Sequence, residues 1–311
     1  MEKWNLRKLA QKECLSDEEY IKWLQDLGLI TSEYECSKCL NAMKLRKKKA
    51  VSDGYVWGCS VCKTSKSVRV GSWFNGSKLS LQNIMLISYM WATEFPQKII
   101  RRETGFSAHT VVDWFNFARE AVTKIVEEVD FEAIGGPGKI VEIDESLVGK
   151  RKYNKGKKKQ CQQWVFGGVE QGSNKCFLVK VSNRSASTLV PLIKKHILPG
   201  TTIYSDCWKA YSSLGKQGYQ HLTVNHSLTF KDGEVCTNTI EGMWRHVKLN
   251  FPLCNRQKDM FDSYLGEFMF RKKYGEEDIF NVFLSKIKLA FVPSIRDPQP
   301  EEASDSESDS D

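Results

Sequence analysis

Nowhere in these 311 residues is there an apolar run approaching the roughly 20 positions a helix needs to cross a bilayer, and no secretory leader pattern precedes Trp4. Both absences lead to the expectation of a soluble intracellular protein with no membrane partner. Acids are short over most of the chain: Asp297–Asp311 holds seven of them and no base, so residues 1–296 carry +15 against +8 for the whole. A body that basic most often meets a polyanion, nucleic acid being the commonest, although a merely soluble basic protein has the same balance. The acidic tail lacks aromatics and is rich in serine, so residues 293–311 are expected to be disordered, as a solubilising segment or a substrate for an acidophilic kinase. The serine-studded acids suit a eukaryotic nucleus, with the cytoplasm the alternative. Apolar residues are not short: at 41% they can fill the cores of two or three modest domains.

Disulfides are not expected in a chain without a leader, so its ten cysteines need another use. Four stand in two tight pairs, Cys36-Ser-Lys-Cys39 and Cys59-Ser-Val-Cys62, with a basic, β-prone stretch between them. That is the pattern of two knuckles closing one tetrahedral zinc site with four thiolates, in a unit too poor in apolar residues to fold well without metal. A redox pair is the alternative, but no strand-to-helix thioredoxin pattern surrounds either motif. A zinc ribbon is therefore expected over residues 34–75, after a helical lead-in over 1–33 that stops at Gly28. The scattered Cys14, Cys161, Cys176, Cys207, Cys236 and Cys254 are read as small buried apolar residues.

From Lys78 to about Val129 the periodicity is helical. Leu81, Ile84, Met85, Ser88 and Trp91 share one face, Pro96 opens a second helix, Thr104-Gly105-Phe106 turns, and Ser107 caps a third. Residues 76–134 thus have a helix-turn-helix outline. In that reading Ser107, Ala108, His109, Thr110 and Asp113 face the major groove of double-stranded DNA while Arg101 and Arg102 meet phosphate. An ordinary helical hairpin has the same outline.

Gly135-Gly-Pro-Gly138 reads as a linker. After it come strands over 139–145, 163–169 and 175–181, a helix over 187–197, a strand ending at Asp206, a helix over 208–214, a strand near 222–224 and a helix around Glu241. Residues 256–292 return to helix. This succession describes a mixed sheet covered by helices, in the strand order of the ribonuclease H-like fold, whose first and fourth strands are neighbours. The expected fold class is a multidomain α/β chain: a ribonuclease H-like core over 135–292, preceded by the four-cysteine zinc ribbon and the helical domain.

Three acids stand out in that core. Asp144 ends the run Lys139-Ile-Val-Glu-Ile, Asp206 ends Thr201-Thr-Ile-Tyr-Ser, and Glu241 lies on the flank of a helix whose apolar stripe is Ile240, Met243, Trp244 and Val247. Hard cations such as Mg²⁺ prefer oxygen ligands, so a few carboxylates can hold a pair of ions for in-line phosphoryl chemistry. Taken singly, a strand-end aspartate is more often a turn former or helix cap. The cationic run Lys150, Arg151, Lys152, Lys155, Lys157, Lys158 and Lys159 follows the first strand; it suits DNA held by counterion release, or else a solvated loop or nuclear-import signal.

The blocks Val141-Glu-Ile-Asp144-Glu-Ser, Tyr204-Ser-Asp206-Cys-Trp-Lys-Ala-Tyr211 and Cys236-Thr-Asn-Thr-Ile-Glu241-Gly-Met-Trp-Arg-His-Val-Lys248 stand in a fixed order behind a CxxC…CxxC ribbon. In this the chain resembles DDE transposases of the Merlin superfamily of DNA transposons and the bacterial insertion-sequence transposases related to it, over roughly Cys36 to Tyr274. Cys236 departs from the histidine usual at that position in such proteins. The resemblance implies a DNA transposase and endonuclease that cuts and joins strands at terminal inverted repeats. It implies Asp144, Asp206 and Glu241 as ligands of two Mg²⁺ or Mn²⁺ ions, Arg245 and Lys248 as phosphate contacts one and two turns along the same helix flank, and a homodimer that pairs two ends. His226 matches a recurrent block as either an active-site neighbour or a loop histidine. A domesticated DNA-binding protein that no longer transposes is the rival of a different class, and a nuclease acting on RNA–DNA hybrids is a third.

Overall fold

The computed structural model describes residues 3–148, 162–224, 236–251 and 260–295. They form two compact units, one of Met1–Met90 with the chain from Leu284 on, the other of Trp91–Phe283. The division falls inside two helices and not at the glycine-rich stretch, and it assigns most of the expected 76–134 helical domain to the second unit. The cause is packing: α5 (Ala108–Lys124) buries Val111, Trp114, Ala118, Ala121 and Val122 and lies along α8 (Phe261–Tyr274) so closely that a Cβ on Gly266 would overlap the Thr123 side chain.

The first unit begins with α1 (Leu6–Glu13) and α2 (Asp17–Asp26). Ser16 opens α2 with a capping box, accepting from the Glu19 N–H while Glu19 Oε2 accepts from the Ser16 N–H at 2.9 Å, which satisfies two otherwise orphaned donors. A three-stranded antiparallel sheet follows, β1 (Lys44–Lys47), β2 (Tyr55–Gly58) and β3 (Ser65–Ser67). So small a sheet leans on polar anchors. Arg69, 3% exposed, binds Asp53 through Nε at 2.6 Å and donates to the carbonyls of Ser77 and Leu79, while Asp53 accepts from the N–H of Leu81 at the start of α3 (Leu81–Ala92). Each partner of this buried pair is thereby supplied with further hydrogen bonds, the condition under which burying charge is tolerable.

In the second unit α4 (Gln97–Thr104) ends on Gly105 at φ 72°, a left-handed cap, and Ser107 caps α5 by accepting from the Thr110 N–H at 3.0 Å. Five strands form the sheet, in the order β10-β9-β5-β6-β7: β5 (Ile140–Val148), β6 (Gln163–Glu170), β7 (Cys176–Val181), β9 (Thr202–Asp206) and β10 (Gln220–Val224). The pairs β5–β6 and β6–β7 are antiparallel; β5–β9 and β9–β10 are parallel. Val141, Ile143, Phe166 and Ile203 pack with Leu189 and Ile193 of α6 (Ala186–His196) on one face. Val165, Val169 and Leu178 pack with Ile240, Met243 and Val247 of α7 (Asn238–Asn250) and with α8 on the other. Helix α9 (Ile279–Ala290) buries Phe280, Phe283 and Ile287.

Four expectations are corrected. Asp144 does not end its strand: β5 runs on to Val148 because β6 keeps pairing with it through Val148↔Gln163. Residues 208–214 are not one helix but two short 3₁₀ turns, Lys209–Tyr211 and Leu214–Gln217, since the Asp206 side chain captures the Trp208 N–H and the chain turns there. The supposed linker is built in: β4 (Ile134–Gly135) pairs with β8 (Ile197–Leu198), and a Cβ on Gly135 would overlap Thr201, whose hydroxyl accepts from the Gly136 N–H at 2.8 Å. The scattered cysteines are not uniformly buried: Cys14, Cys207 and Cys236 are exposed and Cys176 half-buried, while Cys161 and Cys254 lie outside the described residues. The acidic tail from residue 296 on also lies outside them.

Candidate functional site

The parallel register of β5 and β9 sets the site. Val141 sits opposite Ile203 and Glu142 opposite Tyr204, so two residues farther along each strand come Asp144 and Asp206. Alternation along β5 sends Val141 and Ile143 into the α6-side core, while Glu142 and Asp144 reach α7 on the other face. Glu142, fully buried, accepts from the Ile240 N–H at 2.8 Å and from Gln171 Nε2 at 2.6 Å. It thus satisfies an orphan donor in the first turn of α7 and fastens that turn to the sheet. One turn on, Trp244 Nε1 donates to Asp144 Oδ2 at 3.0 Å. Both bonds fix the helix that carries Glu241, itself exposed and within 3.4 Å of the Thr237 hydroxyl.

These carboxylates are close enough to perturb one another. Burial first, then the charges of Asp206 and Glu241, push the Asp144 carboxyl up to about 6, against the opposing Glu145 N–H and Trp244 hydrogen bonds. Glu145, on the α6 side, accepts from the Tyr211 hydroxyl; burial and the charges of Asp144 and Asp206 push it up to about 7, and the Tyr211 phenol is itself shifted far upward by burial and by Glu145. Asp206 is exposed and its Oδ1 accepts from the Trp208 N–H at 3.0 Å, so the turn-forming role open to it in the sequence is real and coexists with its place beside Asp144.

Asp144, Glu241, Trp244, Arg245 and Lys248 line one open cleft of about 650 Å³. Arg245 and Lys248 are exposed along its wall, as the one- and two-turn spacing from Glu241 requires. Arg101 and Arg102 on α4 and His109 and Asp113 on α5 are exposed too, Arg102 being paired with Glu103 at 2.7 Å, but none of them lines this cleft. The exposed face of α5 carries Val112 and Phe117 beside His109 and Asp113, so it is more apolar than the sequence outline suggested. Lys150, Arg151, Lys152, Lys155, Lys157, Lys158 and Lys159, and His226, lie outside the described residues.

The second cluster is in the ribbon. The sulfurs of Cys36, Cys39, Cys59 and Cys62 all lie within 4.8 Å of one another, the one such group of three or more ligating side chains among the described residues. The two knuckles are built alike. Cys36 N–H donates to Asn41 O and Cys59 N–H to Thr64 O, and the residue after each second cysteine, Leu40 or Lys63, takes a left-handed φ of 57° or 56°. Hydrogen bonds from Thr64 and the backbone lower the Cys36 thiol to about 6, whereas Cys62, beside Cys39 and Cys36, is pushed up to about 12. Four thiols so close cannot all ionise unaided, and a bound cation relieves that conflict. Asp144, Asp206 and Glu241 do not form such a group: their oxygens do not all lie within 4.8 Å of one another.

Several site residues escaped the sequence reading. Sequence alone gives Glu142 as a strand residue and Trp244 as part of an apolar stripe, yet the period-2 alternation of Glu142 with Asp144 is a usable signal for placing both on one face. Arg184, which precedes α6, lies with its guanidinium carbon 4.1 Å from the Trp164 ring centre and 4.7 Å from that of Trp208, and nothing local in the sequence joined these three.

Residues 135–273 match the model of the ISXO2-like transposase domain. An uncharacterized transposase-like protein of Haemophilus influenzae is 31% identical over 94 residues, which is 30% of this chain and 76% of that protein. A cryo-EM structure of the simian T-cell lymphotropic virus intasome with the PP2A regulatory subunit B56 gamma aligns at 13% identity and a TM-score of 0.29, over 60% of this chain and 67% of that one. On the strength of the matched domain and the Haemophilus relative, the chain belongs to the insertion-sequence transposases of the ISXO2-like family.

Proposed function

We propose that this chain binds double-stranded DNA at transposon ends, cuts its strands and joins the freed 3′ ends to target DNA, with Asp144, Asp206 and Glu241 as the catalytic carboxylates. The observation that carries the reading is the parallel β5–β9 register, which sets Asp144 level with Asp206 while Glu142 and Trp244 hold the Glu241 helix against them. The strand order, 3-2-1-4-5 when the five are counted along the chain, supports a ribonuclease H-like core.

The donor set suits hard divalent cations: Asp144 is held up at about 6 partly by two neighbouring negative charges, an excess that Mg²⁺ or Mn²⁺ would offset. Such ions, when bound, supply charge neutralisation for in-line displacement at phosphorus. The protein's own part is positional. Trp244 fixes the rotamer of Asp144, Glu142 fixes the height of α7, and Arg245 and Lys248 offer cations to the DNA phosphates beside the cleft. Cys36, Cys39, Cys59 and Cys62 would hold one structural Zn²⁺, the α4–α5 surface with Arg101, Arg102 and His109 would read the DNA, the 150–159 lysines would add sequence-independent affinity, and a dimer would pair two ends.

Purified protein incubated with duplexes carrying candidate terminal repeats tests this. Nicks should appear with Mg²⁺ or Mn²⁺ and be absent in a chelator. Tight, sequence-selective binding without nicking in either metal would instead support a domesticated DNA-binding protein.

A further inference from the structure

Trp208 is 40% exposed, although the neighbouring Ala210 and Tyr211 are buried. Exposing an indole forgoes its burial, and this one is not loose. Its Nε1–H donates to the Arg184 carbonyl at 3.1 Å and its backbone N–H to Asp206 Oδ1 at 3.0 Å. The Arg184 guanidinium lies 4.7 Å from its ring centre and 4.1 Å from that of Trp164, whose ring packs against the α6-side core. The result is a layered stack of indole, guanidinium and indole, anchored in the core at one end and reaching solvent at the other. Holding the outer ring in place beforehand removes most of the ordering cost that a ligand would otherwise meet.

Two features say what the outer ring is for. Trp208 follows Asp206 by two residues, so their Cα atoms are at most about 7 Å apart and the ring stands at the same strand end as Asp206, although neither residue lines the cleft of Asp144 and Glu241. Arg184 brings positive charge to the same rim through the guanidinium that lies against the Trp208 ring. An aromatic face backed by a guanidinium next to a phosphate-handling site is the chemistry that receives a nucleobase. Bases inside a duplex are stacked on both sides and have no face to offer, whereas an unpaired base at a strand end is free to turn one onto the ring.

We infer that Trp208, backed by Arg184 and Trp164, is a stacking platform for one unpaired nucleobase of the DNA strand end lying at the carboxylate cleft. This rests on the proposed action on DNA, but it can fail separately. The probe is a pair of duplexes with the same sequence, one ending in a single unpaired 2-aminopurine and one in which that base is paired, bound to the full chain without divalent metal so that binding is read apart from cleavage. The parent should quench the unpaired probe and bind that duplex about tenfold more tightly than the paired one. Trp208→Leu should lose both the quench and the preference while keeping its affinity for the paired duplex, and Trp208→Phe should keep most of both.

A parent that binds both duplexes without quenching or preference overturns the platform with no variant needed. So does a folded Trp208→Leu that quenches as the parent does, or one that loses both duplexes alike, which would make Trp208 a mere support for Arg184. Failure to bind either duplex would instead sink the DNA-cleaving reading, as would quenching by a parent that never nicks with Mg²⁺, the latter leaving the platform standing.

Discussion

Replacing Asp206 by asparagine is expected to leave a folded protein that binds terminal DNA at least as well as the parent and nicks it at least about a hundredfold more slowly in Mg²⁺ or Mn²⁺. The shape is kept, since the amide oxygen of asparagine can still accept from the Trp208 N–H at the start of the turn. What is lost is one negative charge beside Asp144, whose carboxyl is raised partly by that charge. Removing it lowers repulsion within the site, which favours the fold and DNA phosphate, and weakens the hold on divalent ions, which catalysis needs. The hundredfold floor comes from metal sites in general, where losing an outer-shell partner alone costs 10–100-fold. Gel assays of binding and nicking on the same preparations check it, and nicking near the parental rate would remove Asp206 from the triad.

Cys59→Ser should have the largest effect on stability. Cys59 is buried, its sulfur lies 3.6 Å from that of Cys39, and it accepts from the Cys62 N–H at 3.3 Å, so it is tied to both knuckles. The sheet it adjoins, just after β2, has three strands of only three or four residues, too little apolar surface to hold itself together. Apparent zinc-binding energies of structural sites, on the order of 10 kcal/mol or more, become folding energy in such units. The parent should retain about one zinc per chain after washing with a weak chelator. The variant should lose it and show a lower, broader melting transition assigned to the ribbon, with the sheet that carries Asp144 unaffected. Full zinc content and an unchanged melt in the variant would show that these cysteines are not a structural metal site.

What could be read in advance follows from how far apart the cooperating residues stand. The knuckles were legible because each is complete within four residues, and the α7 stripe of Ile240, Met243, Trp244 and Val247 because its 3.6-residue period is local. The neighbouring of β5 and β9 was legible too, since the alternation of strand and helix constrains a sheet's order. Bonds made across about a hundred residues were not. Nothing in Val141-Glu-Ile says that Glu142 will receive the N–H of Ile240, 98 positions on, or that the indole of Trp244 will turn its nitrogen to Asp144 instead of serving only as apolar filling. The 208–214 segment differs for a related reason: its apolar spacing suits a helix, but a single hydrogen bond that the Asp206 side chain accepts from the Trp208 N–H starts a turn instead. Gly135 was misread because glycine signals freedom in sequence, whereas here it permits contact with Thr201.

Asp144, Asp206 and Glu241 are proposed to share divalent ions, and that sharing can be seen directly. It is tested most directly by anomalous diffraction from crystals of the protein soaked in Mn²⁺. Manganese peaks are expected within coordination distance of carboxylate oxygens of Asp144 and Asp206, with Glu241 binding directly or through water, and with loss of occupancy there in Asp206→Asn crystals. Manganese bound elsewhere, or bound beside Asp144 with undiminished occupancy in the variant, would contradict it.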